Sequence, residues 1–302
     1  MIAKFRNAAR PAGMRPVPRW PARNPVDLRG KRILLTGASS GIGAVAAQKL
    51  AAEGATVIAV ARREWLLVEV VDRIVACGGH ATAVPTDLAD LDQIDALVNA
   101  VGPIDILINN AARSIRRPLA DSLERWHDIE RVMQLNYYAP LRLIRGLAPG
   151  MIERNDGHIV NIATWRVLPE SSPLFAAYNA SKAALSAVSR VIDTEWGRHG
   201  VHSTTVYYPL VATPMIAPSR AYDGVPALTA DEAADWMVTA ARNRPIRIAP
   251  RKAIVLRALD VVAPRTLNNI LERETNRMSA NAGTSRVIEY LPGPSIPVAL
   301  PD

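Results

Sequence analysis

A chain of 302 residues can hold one sizeable α/β domain with extra segments, and it is too short for two comfortable domains with their linkers. Its 49% hydrophobic and 21% charged residues exclude disorder of the bulk. The net charge of +8 sits wholly in residues 1–32, where nine Lys and Arg face one acid, Asp27; the rest carries 27 basic and 27 acidic residues, a neutral body without the basic groove a nucleic-acid partner needs.

Residues 1–28 read as a basic, Pro-rich arm with no apolar run, neither a signal peptide nor a membrane span, which argues against export. Two readings stand for it. One is a solvated flexible arm, or an over-extended start with Met14 as a later initiator; the other is an electrostatic tether to a partner or to anionic lipid, a peripheral membrane contact. Residues 29–250 then alternate short β-branched apolar runs with longer segments of helical period, the pattern of a doubly wound parallel sheet (Rossmann-type) covered on both faces, in a single domain.

The first strand, Arg32 to Leu35, runs into Gly37-Ala38-Ser39-Ser40-Gly41-Ile42-Gly43 and then a helix that stops at Gly54. Gly37 permits the tight turn off the strand, Gly41 lets the backbone approach a pyrophosphate, and Gly43 allows close helix packing. The helix start then faces the anion. A second strand, Thr56 to Val60, ends in Ala61-Arg62-Arg63, where a carboxylate for a ribose hydroxyl would otherwise stand. Guanidinium groups there suit a 2′-phosphate, so the cofactor is NADP(H) rather than NAD.

Further strands are predicted at Ala81 to Val84, Ile104 to Ile108, His158 to Ile162 and Ser203 to Tyr208. Helices are predicted over roughly Trp126 to Leu147 and Ala176 to His199. Cys77 is the only cysteine, which excludes an intrachain disulfide and fits a reducing, cytoplasmic compartment. His80, His127, His158, His199 and His202 are scattered without partners at metal spacing, so no metal site is expected.

Tyr178 and Lys182 stand at i and i+4 of a helix, on one face and one turn apart. A phenol with a pKa near 10 needs a shift of about 3 units, roughly 4 kcal/mol, to act well at neutral pH. A neighbouring ammonium supplies about 1–3 of those units, and an oxidised nicotinamide adds to it. Taken alone, such a pair is common and usually structural.

Its company decides the matter. TGASSGIG, Asp87-Leu88, Asn109-Asn110-Ala111-Ala112, Asn136 and the YNASK segment at 178–182 stand in an order and spacing that resemble the short-chain dehydrogenase/reductase family over roughly residues 28–215. The resemblance implies that Tyr178 is the general acid and that Lys182 lowers its pKa and holds the nicotinamide ribose. It implies that Asn136 anchors a water relaying protons to Lys182, that Asp87 and Leu88 border the adenine, and that Asn110 and Ala111 line the cofactor. Alone, Asp87 also reads as a turn cap and Asn136 as a helix-end cap. Pro209, Val211 and Thr213 would contact the nicotinamide end.

The chain departs from the family pattern in several places. Thr164 stands where the family has a serine that hydrogen-bonds the substrate oxygen; it keeps the hydroxyl and stiffens χ1. The interval from Thr164 to Tyr178 is one residue long, which leaves Ser171 or Ser172 as alternatives, and Trp165-Arg166 follows where small residues are common. Leu210 follows Pro209 where the family shows glycine, and the asparagine turn ends in Ala112.

Residues 213–229 read as a lid, followed by a helix from Ala230 to Arg242 and a short run, Ile246 to Ile248. Instead of a glycine-rich closing strand come amphipathic helices at 251–280, interrupted at Ala263-Pro264, and a polar, Pro-rich tail at 281–302 that reads as disordered. With Thr213-Pro214-Met215-Ile216-Ala217-Pro218 and Glu232-Ala233-Ala234-Asp235, this ending resembles the branch of the family that reduces fatty acyl-CoA or similar long-chain substrates. Arg251, Lys252, Arg257 and Arg265 beside an apolar cover suit a long acyl chain and its phosphate-bearing carrier.

The expectation is an NADP(H)-dependent reductase of a lipophilic carbonyl or thioester substrate, with long-chain acyl-CoA among the candidates. A ketone reductase (3-oxoacyl, steroid or polyketide-like) and a weakly catalytic NADP-binding regulator stand beside it. The alanine- and serine-rich surface of the Tyr178 helix resembles the family's subunit interface, which implies a homodimer or homotetramer.

Overall fold

The computed structural model describes residues 14–16, 25–217 and 219–281. The rest of the predicted arm, Pro218 and the predicted tail from residue 282 onward lie outside the described residues. Seven strands form one parallel sheet: β1 (Arg32–Thr36), β2 (Thr56–Ala61), β3 (His80–Pro85), β4 (Ile106–Asn109), β5 (Gly157–Thr164), β6 (Val201–Tyr208) and β7 (Arg247–Ile248). Their spatial order is β3-β2-β1-β4-β5-β6-β7. The strand order reverses between β1 and β4, and a crevice opens beyond the carboxyl ends of the strands at such a switch point. Strands such as β4 are buried along their whole length, which is why they read as unbroken apolar runs.

Helices α1 (Gly41–Ala52) and α2 (Glu64–Ala76) cover one face of the sheet, joined there by a helix that follows β6. The other face is covered by α3 (Leu91–Val101), α4 (Trp126–Met133), α5 (Ala139–Glu153) and α6 (Ala176–Glu195). The helix after β6 is α7 (Ala230–Asn243), held at its start by a reciprocal capping box between Thr229 and Glu232. Leu35, Val57, Leu67 and Met237 belong to the core of the first face, and Leu34, Leu107, Leu143 and Ile192 to that of the second. Leu28, placed by sequence in the arm, is 2% exposed within the first core.

The single helix predicted from Trp126 to Leu147 differs in two ways. A π turn over Gln134–Tyr138 separates α4 from α5, and α5 runs on to Glu153 through Pro149 and Gly150. Ala148 and Met151 are buried on its last turns, and tertiary burial outweighs the helix-breaking residues there. Beyond β7, α8 (Arg251–Val262) and α9 (Pro264–Asn281) break at the predicted Ala263-Pro264 junction. They seat Ala253, Leu256, Leu267 and Leu271 on Trp165, Leu168 and Tyr207, building a third apolar cluster over the end of the sheet.

The loop leaving β1 shows why its glycines are needed. Gly37 and Gly41 have φ of 69° and 57°, which L side chains rarely adopt. A Cβ on Gly43 would fall inside the carbonyl oxygen of Gly37, so α1 packs against the turn itself. Gly43→Ala is therefore expected to destabilise the protein by about 1–3 kcal/mol, with a lower melting temperature by circular dichroism. A melting temperature equal to wild type would show that the turn can yield.

Candidate active site

A cleft of about 1130 Å³ opens along the carboxyl ends of the strands. The residues of the glycine loop that the sequence singled out, Gly37, Ser39, Ser40, Gly41, Ile42 and Gly43, line it together with Arg62, Arg63, Asp87, Leu88, Asn110 and Ala111. Thr164, Tyr178, Lys182, Pro209, Val211 and Thr213 line the opposite wall. Asn136 is not on the cleft wall, and neither are Ser171 and Ser172, the alternatives to Thr164.

At one end the loop makes an anion site. Helix α1 begins after Ser40 with no side-chain cap and no acid in its first turn, so nothing from its own sequence meets the N–H groups there. Ser40 Oγ instead accepts from Arg63 Nη2 at 3.0 Å. Arg62 lies 3.9 Å from the Asp87 carboxylate and is mostly exposed. Asp87 shapes its own turn, with Oδ1 accepting from Ala89 N at 3.0 Å. Gly41 faces Thr213, 3.4 Å from where its Cβ would lie. Uncapped N–H groups at the start of α1 and two arginines beside them fit a phosphate-bearing dinucleotide.

Thr36, which drew no attention in the sequence, organises the middle of the cleft. Its Oγ1 accepts from the backbone N–H groups of Asn110 and Ala111 at 2.9 and 3.0 Å, and Asn110 Nδ2 returns a bond to Thr36 O at 2.9 Å. Deeper in, Asn109 Nδ2 donates to Asn161 Oδ1 at 2.8 Å. Adjacent strands are thus stapled where the crevice opens.

Helix α6 presents Tyr178 and Lys182 to the cleft one turn apart, and β5 delivers Thr164 beside Tyr208 in register. Lys182 is 1% exposed and donates from Nζ to Ile162 O at 2.8 Å. Among the protein groups, burial dominates: it pushes the Tyr178 phenol up to about 12, with Tyr222 adding to the rise, and the Lys182 ammonium down to about 7. The lowering of the phenol expected from Lys182 is not seen: burial alone shifts Lys182, and burial with Tyr222 raises Tyr178.

Asn136 lies in the π turn, fully buried. Its Oδ1 accepts from Arg113 N at 2.8 Å, and its Nδ2 donates to Arg113 O and Ser181 Oγ at 2.9 and 3.0 Å. The side chain thereby ties the chain after β4 to α6. Interruptions of this kind collect at functional sites.

The far end of the cleft was not legible. Thr164 caps a 3₁₀ turn over Trp165–Val167 through Arg166 N at 3.4 Å. The Arg166 guanidinium then lies 5.2 Å from the Trp165 ring centre and 5.6 Å from that of Phe175. Phe175 meets Tyr178 edge-on at 6.4 Å. In the predicted lid Tyr222 and Leu228 are buried while Met215 is exposed, and its base is closed by bonds from Ala212 N to Leu228 O at 2.8 Å and from Leu228 N to Leu210 O at 2.9 Å. Lys252 of α8, Glu274 of α9 and Met14 complete this wall. Arg15 O accepts from Arg251 N at 3.0 Å, which brings part of the predicted arm to the cleft.

Residues 31–223 match the family model described as short chain dehydrogenase. The chain is 66% identical over 278 residues to a fatty acyl-CoA reductase of Mycobacterium tuberculosis, covering 89% of this chain and 95% of that protein. It is 47% identical over 249 residues to a fatty acyl-CoA reductase of Acinetobacter baylyi, covering 81% and 84%. A metagenomic short-chain oxidoreductase solved in complex with NADP superposes with a TM-score of 0.61 at 32% identity, covering 72% of this chain and 92% of that one.

Proposed function

The chain belongs to the short-chain dehydrogenase family, and from that premise we propose that it reduces the thioester of a long-chain acyl-CoA with NADPH. It is an NADP(H)-dependent oxidoreductase of a lipophilic acyl substrate. One observation carries the proposal: the cleft that joins Tyr178, Lys182 and Thr164 to an arginine-flanked glycine loop continues to an end lined by Trp165, Phe175, Tyr222 and Val225, where Lys252 of α8 and Glu274 of α9 close the wall.

The cofactor, when bound, supplies a hydride to the carbonyl carbon. Ser39, Gly41, Ile42 and Gly43 would hold its pyrophosphate, Ser40, Arg62 and Arg63 its 2′-phosphate, and Asp87 and Leu88 its adenine. Asn110, Ala111, Pro209, Val211 and Thr213 would line its nicotinamide half. Thr164 polarises the substrate oxygen with its hydroxyl, Tyr178 gives that oxygen a proton, and Lys182 holds the ribose beside the phenol. Asn136 keeps α6 and the chain after β4 in place, and the water relay to Lys182 would run past it.

We place residues 29–250 as the catalytic unit and 251–280 as its cover. Trp126, Tyr138 and Val191 are at least half exposed on the α4, α5 and α6 side, which supports a homodimer or homotetramer through that face. Among the described residues no helix is long and apolar enough to cross a membrane. The single cysteine supports a cytoplasmic place, and exposed Val255, Val261 and Val262 near Arg257 and Arg265 on the cover support a peripheral membrane contact.

The test is NADPH oxidation across acyl-CoA and 3-oxoacyl substrates of increasing length, with the products identified. Each buried methylene contributes about 0.8 kcal/mol, so kcat/KM should climb by up to roughly tenfold per two carbons until the chain outruns the cover. Aldehyde or alcohol products bear the reading out; hydroxyacyl products alone would favour the ketone reductase.

A further inference from the structure

A thioester sets a demand that a ketone does not. When hydride reaches the thioester carbon and Tyr178 protonates its oxygen, a hemithioacetal forms. To give the aldehyde, the carbon–sulfur bond must break with both electrons leaving on sulfur, while the hydroxyl returns its proton to the Tyr178 phenolate and the carbonyl reforms. The departing thiolate needs a cation or a proton donor of its own, and Tyr178 is already engaged at oxygen.

The structure holds such groups in the same cleft as Thr164 and Tyr178. Arg166 follows Thr164 by two residues, and the 3₁₀ turn that Thr164 caps fixes its path. Its guanidinium packs by Trp165 and Phe175, and Phe175 is the ring that touches Tyr178, so the cation stands one aromatic ring away from the phenol. Arg166 and Tyr222 both line the cleft, Tyr222 arriving from the lid on a 3₁₀ turn over Arg220–Tyr222. Tyr222 senses both Tyr178 and Arg166: it adds to the rise of the Tyr178 pKa, and Arg116 and Arg166 oppose the rise that burial imposes on its own. The nearby carboxylate, Glu274, is shared with Lys252 at 3.8 Å. Arginine keeps its proton even when burial lowers its pKa, as it does here.

We propose that Arg166 and Tyr222 form the leaving-group site of the enzyme, receiving the thiolate that departs when the reduced thioester collapses to an aldehyde. The proposal rests on the thioester reading above. Arg166 neutralises the sulfur anion in a desolvated setting, the Tyr222 hydroxyl donates a hydrogen bond to it, and the freed thiol takes its proton from solvent, directly or through Tyr222, which solvent then reprotonates. The overall balance is one thioester and one NADPH with a proton, giving an aldehyde, the oxidised cofactor and a thiol. An aldehyde taken on to the alcohol has no leaving group and makes no use of the pair.

The test compares two substrates of one chain length, a fatty acyl-CoA and the corresponding fatty aldehyde, in wild type, Arg166→Met, Arg166→Lys and Tyr222→Phe. Loss of a preorganised charged donor costs about 10²-fold in kcat. The expected result is a fall of that order for Arg166→Met in the ratio of acyl-CoA to aldehyde reduction, a smaller fall in that ratio for Tyr222→Phe, and partial rescue of it in Arg166→Lys. An acyl thioester of thiophenol, whose thiolate departs more readily, should shrink the deficits. Equal losses on both substrates, or none on either, overturn the leaving-group site while the thioester reading survives. A wild type that reduces aldehydes and no thioester overturns both.

Discussion

Tyr178→Phe should lower NADPH-driven reduction by about 10²–10⁴-fold while leaving the affinity for NADPH almost unchanged. The substitution removes one hydroxyl and keeps the ring that Phe175 meets edge-on, so the packing of α6 survives. What is lost is the proton given to the substrate oxygen as hydride arrives. Fluorescence titration with NADPH beside steady-state oxidation separates the two quantities. Turnover by the Phe variant within a few-fold of wild type would remove Tyr178 from the proton path.

The same pair sets the pH response. Tyr178, pushed up to about 12, keeps its proton throughout the neutral range, whereas Lys182, pushed down to about 7, gives its proton up within it. Reduction needs the phenol protonated and the ammonium charged, so the rate should fall as pH rises through about 7. A rate that stays flat across neutrality would leave Lys182 without an electrostatic part.

The sheet was legible because central strands such as β2 and β4 are buried and stand as apolar runs between glycines and polar breaks, as Thr56 shows, while the edge strand β3 is partly exposed. Cross-strand constraints were not: β5 runs two residues past Ile162 because Ala163 and Thr164 pair with Tyr207 and Tyr208. The glycine loop, the two arginines and the Tyr178 and Lys182 pair are local patterns, each written within about seven consecutive residues. Arg166, Tyr222 and Glu274 come from segments far apart in the chain, and only tertiary packing brings them to one wall. Thr36 escaped notice for a related reason: a threonine at a strand end is unremarked until the N–H groups of Asn110 and Ala111 are seen turning onto it.

Replacing Arg62 and Arg63 together by alanine should weaken NADPH by about 10²–10⁴-fold and NADH hardly at all. Hydrogen bonds to charged groups contribute about 1.5–3 kcal/mol each, and two such contacts to a 2′-phosphate account for the range. The two residues act differently. Arg63 reaches back to Ser40 Oγ, so it couples the phosphate end of the site to the glycine loop, and its loss also releases that serine. Arg62 stands 3.9 Å from the Asp87 carboxylate, which would otherwise repel a phosphate; Arg62→Ala alone removes a ligand and exposes an anion. Arg62→Ala should therefore cost more than Arg63→Ala, and Asp87→Asn in its background should recover part of the loss. If NADPH and NADH weaken equally in the double variant, the arginines serve the loop rather than the phosphate, and the preference for NADP(H) must lie elsewhere in the cleft.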